Sequence, residues 1–147
     1  MKSFLHATSG TISLVLIASF WISTAVSELF MDHPAVAFVK RSIVHGLFLL
    51  VHLFALTALS GMAIGKGRKE GLVARKVRRM RVVAANGLLV LLPAALYLNG
   101  KAGGGQFDVS FFSVQVIELI VGIVQMILLG LNLRDGLRLA GKLRSVS

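Results

Sequence analysis

KGRKEGLVARKVRRMR, residues 66–81, holds eight of the chain's sixteen Lys and Arg residues and lies between two long apolar runs. Reading outward from it, four apolar segments emerge, at about 11–30, 43–64, 82–98 and 111–133. Each is about long enough to cross a ~30 Å hydrocarbon core at ~1.5 Å per residue. Lys2, the 66–81 stretch and the four basic residues after Leu133 fall on one side of such a membrane, thirteen charges in all. Lys40, Arg41 and Lys101 fall on the other, giving thirteen against three. This bias places both termini in the cytoplasm and predicts a multi-pass protein of a bacterial cytoplasmic (inner) membrane.

The expected fold is all-α, an antiparallel bundle of four transmembrane helices forming a single integral membrane domain over 1–147. A formal net charge of +10 would point to nucleic acid in a soluble chain. Here the charges flank apolar spans, where they orient the chain and meet anionic lipid headgroups, and no nucleic-acid motif accompanies them. The expected partners are therefore the bilayer, anionic headgroups at the 66–81 stretch, and further copies or a larger membrane complex. The chain has no Cys, which removes disulfides and thiolate chemistry together. Lys2, an apolar run and Ala25-Val26-Ser27 imitate a signal peptide, but the uncharged stretch from Ser3 to Ser27 is longer than the usual core, so retention of the first span is expected.

Polar residues inside the spans mark faces that meet in the bundle. In the fourth span Gln115, Glu118, Gly122, Gln125, Leu129 and Asn132 recur at spacings of three and four. In the first, His6, Ser9, Ser13, Leu16, Phe20, Ser23 and Ser27 do the same. The third contributes Asn86, Val90, Pro93 and Tyr97, with a kink expected at Pro93, and the second has His45 and His52 seven apart. Counted from the outer face at ~1.5 Å per residue, His45 lies at about 4 Å, Glu118 at about 11 Å and His52 at about 15 Å. A carboxylate at that depth needs a partner, and His52 or His45 is the expected one.

Three readings of this cluster stand side by side. His6, His45 and His52 are candidate haem ligands, and His45, His52 and Glu118 are candidate ligands for a metal such as a copper ion, since neutral imidazole is the commonest metal ligand. An intramembrane Glu beside His also suits a proton or ion relay. Alternatively, Gln, Asn, Ser and His act as packing glue at about 0.6–2 kcal/mol each. Bis-His haem within one chain would require His33 with His45, or one His with Met126, Met62 or an open position. No nucleophile elbow, triad context or phosphate-cradling loop is present.

At Asp32-His33-Pro34-Ala35-Val36-Ala37-Phe38-Val39-Lys40-Arg41, with Gly61 as a helix-breaking glycine and a basic loop before the third span, the chain resembles small four-span bacterial integral membrane proteins of unknown function. Its Leu5-His6 opening is also similar to that of copper-resistance D proteins and of the HemJ type of protoporphyrinogen oxidase. The latter resemblance implies a haem ligand at His6. The chain departs from that pattern in lacking a Trp about two turns after the histidine, its one Trp being Trp21.

Overall fold

The computed structural model describes residues 2–65, 71–139 and 141, with side chains over 4–61, 71–138 and at 141. Lys66–Glu70 of the basic stretch, the basic residues Lys142 and Arg144, and the side chain of Met62 fall outside these ranges. The elements are α1 (Lys2–Phe30), α2 (His33–Gly65), α3 (Leu72–Asn86), a π-helical turn (Gly87–Leu91), α4 (Leu92–Gly103) and α5 (Val109–Leu139). No strand occurs among the described residues.

Four helical stretches are long and apolar enough to cross a membrane: Phe4–Phe30, His33–Gly61, Leu72–Gly103 and Val109–Arg138. The chain is accordingly an all-α, multi-pass membrane bundle. The helices begin at alternate ends. The starts of α1 and α3 and the finishes of α2 and α5 share one end, called the basic end below; the other is the far end.

Two local features depart from the sequence expectation. The connection after α1 is only Met31-Asp32, because Asp32 Oδ1 accepts the Ala35 N–H at 3.0 Å and Pro34 sits in the first turn, which starts α2 at once. Lys40 and Arg41, expected in a loop, are therefore helical. In the third span Pro93 cannot donate to the preceding turn, and the helix takes up the mismatch as the π-helical turn just before it. There Leu92 N–H reaches back to Gly87 O, and the Gln125 side chain donates from α5 to Val83 O at 3.0 Å.

α1 packs between α2 and α5, α5 carries α3 and α4, and α4 closes against α2. The far end is densely filled by Val36, Leu98, Ala102 and Phe111, with Phe107 stacked on His33 at a centroid distance of 4.0 Å. A second core of Ile17, Leu50, Val83 and Leu129 lies nearer mid-bundle. Close approach of α1 to its neighbours depends on missing Cβ atoms. A Cβ at Gly46 would stand 2.8 Å from Phe20 Cε1, one at Gly122 2.9 Å from Trp21 Cδ1, and one at Gly61 3.1 Å from His6 Cε1. Gly61 thus receives a ring, and α2 runs through it unbroken to Gly65.

Candidate functional site

The buried face of α2 is the row Val36, Lys40, Ile43, Leu47, Leu50, Phe54 and Thr57, alternating in steps of four and three. One member is a cation. Lys40 is 1% exposed, and its Nζ lies 3.0 Å from Glu118 Oε2 and 3.9 Å from Glu28 Oε1 while also donating to Gln115 Oε1. Gln115 Nε2 in turn donates to Glu118 Oε2 at 3.2 Å. Helices α1, α2 and α5 each contribute to this knot, which lies toward the far end of the bundle. Two carboxylates share one ammonium, and Glu28 Oε1 is buried with no hydrogen-bond partner. An ion group this enclosed keeps its charges only through such contacts.

The partner of Glu118 is therefore Lys40, in place of the expected His45 or His52. Those two histidines do share a face, as their spacing requires, but it is the exposed face of α2. Each ring Nδ1 is bonded to the carbonyl one turn back on its own helix, His45 to Arg41 O at 2.8 Å and His52 to Phe48 O at 2.6 Å. Among the described residues no three His, Asp or Glu side chains come together as a metal-holding group.

A second polar group occupies the basic end. Arg79 on α3 donates to Asp135 Oδ2 at 2.9 Å and to Asn132 Oδ1 at 3.2 Å on α5, and Arg134 Nε lies 3.6 Å from Asp135 Oδ1. Across from it, His6 Nδ1 is 2.9 Å from Thr57 O, and Thr57 donates to Ser9 Oγ at 2.8 Å, tying α1 to α2.

Between the two groups lies a cleft of about 1590 Å³. It exists because α3 leans chiefly on α5 and stands off from α1 and α2, while α4 draws in against α2 at the far end. Glu118 marks one limit of the lining, and His6, Lys76, Arg78 and Arg81 mark the other, with Trp21, Gln125 and Asn132 along the wall. Val51 of α2, Val77 of α3 and Leu88 of the π-helical turn line it and are also exposed, so the cleft opens sideways between α2 and the third span. The α5 stripe expected from sequence faces this interior, with Gln115, Gln125, Leu129 and Asn132 all buried. On α1, Ser9, Ser13 and Ser27 of the expected stripe are buried, whereas Ser23 is exposed and Thr24 takes its place.

Comparison with known protein families, curated proteins and solved structures gives no match. What fold and site define is a class: a four-span membrane bundle with a buried Lys–Glu knot at one limit of a lateral interior cleft.

Proposed function

We propose that this chain is a small proton-linked carrier or binding subunit of a bacterial cytoplasmic membrane, with both termini on the cytoplasmic side and an amphipathic solute as its cargo. One observation carries the reading: Glu118 bonds to Lys40 on one side and lines the cleft on the other. A proton gained or lost at Glu118 or Glu28 changes the charge that Lys40 must balance, and that change is felt at the cleft wall. Intramembrane carboxylates paired with cations in this way are the usual furniture of proton relays. The thirteen-to-three distribution of basic residues supports the orientation.

Proton movement across vesicles tests the reading. Purified protein reconstituted with a lumenal pH dye should discharge an imposed pH gradient faster than protein-free vesicles, and Glu118→Gln should abolish the difference. Equal rates for wild type and Glu118→Gln would overturn it.

A second reading, a b-type haem in the same cleft, is favoured by His6. Its Nδ1 is held at Thr57 O, an arrangement that fixes the ring and leaves Nε2 available as a ligand. His6 would hold the group, and Lys76, Arg78 and Arg81 would meet its carboxylates, all of them lining the cleft. A haem so held would supply one-electron chemistry. A copper ion at His45, His52 and Glu118 would need two histidines from the exposed face of α2 together with a carboxylate of α5 that meets the buried face of that helix. A Soret band in the purified protein that is lost in His6→Ala would support the haem reading, and a colourless sample from haem-replete cells would dismiss it.

A further inference from the structure

The basic end is out of electrical balance. Among the described residues it carries Arg75, Lys76, Arg78, Arg79, Arg81, Arg134 and Arg138 against the single carboxylate Asp135, which Arg79 and Arg134 already engage. Lys76, Arg78 and Arg81 have no carboxylate within 4.0 Å among the described residues, and all three line the mouth of the cleft. Beyond them the walls turn apolar, through Val77 and Ala84 on α3, Leu88 in the π-helical turn, and Ala58, Val51 and Leu47 on α2. The opening between these helices faces hydrocarbon, so the space fills with whatever the bilayer offers.

We propose that the cleft binds one anionic phospholipid from the leaflet at the basic end. Its phosphate sits among Lys76, Arg78 and Arg81, and an acyl chain lies along the apolar walls toward Trp21. The charge pattern selects this occupant. A soluble anion would satisfy the three cations but leave a trough of about 1590 Å³ unmatched, and a zwitterionic lipid would bring a cation of its own to a mouth that already has three. The inference rests on the reading of the cleft as ligand space, and not on proton linkage.

Native mass spectrometry of the full chain, released from micelles containing equal dioleoyl phosphatidylglycerol and dioleoyl phosphatidylcholine, tests it. One phosphatidylglycerol should be retained per chain in preference to phosphatidylcholine. Lys76→Gln, Arg78→Gln and Arg81→Gln should each weaken that preference about fivefold. Arg41→Gln, which removes an equal charge at the far end, should leave it unchanged. Filling the trough with Ala58→Phe and Ala84→Phe together should reduce retention with every charge in place; should that variant fold poorly, the Gln series stands alone. Lipid retention is read on the wild-type chain without a pH gradient, so phosphatidylglycerol retained by a chain that fails to speed gradient discharge would leave the lipid site standing and sink proton linkage alone. Equal retention of both lipids, an equal effect of Arg41→Gln, a lipid-free dimer, or a haem mass in place of the lipid would each overturn the inference.

Discussion

Lys40 on α2 places its Nζ 3.0 Å from Glu118 Oε2 on α5, and at 1% exposure it is one of the most enclosed side chains in the bundle. Helices α2 and α5 are thus joined by charge at the far end, where α4 also packs, and the interior cleft runs from this knot toward the basic end. The geometry gives the bundle a closed end and an open end.

Ring-into-glycine contacts set how closely α1 approaches its neighbours, so adding a methyl group there has a cost. Gly46→Ala and Gly122→Ala should each lower stability by about 1–3 kcal/mol through overpacking against Phe20 and Trp21. Gly130→Ala, with nothing within 4 Å of the new Cβ, should be neutral or stabilise by up to about 1 kcal/mol. Chemical unfolding in mixed micelles measures all three; equal effects at the three sites would contradict the packing.

Trp21 donates its Nε1–H to Leu119 O at 2.9 Å while its ring fills the space over Gly122. Trp21→Phe, which keeps most of the ring, should cost about 0.5–1.5 kcal/mol, and Trp21→Ala about 3–5 kcal/mol. As the sole Trp in the chain it also reports directly on the cleft. Its emission should respond to brominated acyl chains that enter the cleft, and a spectrum indifferent to them would mean that no acyl chain reaches this wall.

Asp108 anchors the far-end turn ahead of α5. A hydrogen bond from Lys101, one from Ser110 and the Phe111 N–H hold its carboxyl well below the usual carboxylate range. The sign follows from linkage: the unfolded chain binds this proton more readily, so the stabilisation is fully present above the ordinary carboxylate value and is lost only as pH falls through the depressed one. The protection factor of the Phe111 amide, its exchange rate relative to the intrinsic rate at the same pH, should therefore stay constant from neutral pH to about pH 4, the ordinary Asp value, and Asp108→Ala should lower it throughout that range. Loss of protection centred on the ordinary range would contradict this.

The four spans were legible because hydrophobicity dominates a chain that has to bury its backbone in lipid, and the α5 stripe was legible because Gln115, Gln125 and Asn132 stand out in an apolar helix. Lys40 was hidden by an assumed loop. Charge near a span end reads as interfacial, yet Asp32 followed by Pro34 is a helix start, and the row Val36, Lys40, Ile43, Leu47, Leu50 has seam spacing. Those signals were in the letters. His45 and His52 show the complementary limit: a spacing of seven says that two residues share a face, and only packing decides whether that face looks inward. The cleft had no sequence signal, since it arises from α3 standing off from α2, a matter of how helices lean.

A double-mutant cycle on Lys40 and Glu118 tests the arrangement most directly. Unfolding free energies would be measured in mixed micelles for wild type, Lys40→Met, Glu118→Gln and the double variant. Lys40→Met strands two carboxylates and should cost about 3–5 kcal/mol, and Glu118→Gln, which leaves the ammonium with Glu28, should cost less; in the double variant Glu28 alone lacks its cation, so the loss should be clearly smaller than the sum. Additive losses would mean that the two side chains do not meet, and would contradict the closed end on which the account of the cleft depends.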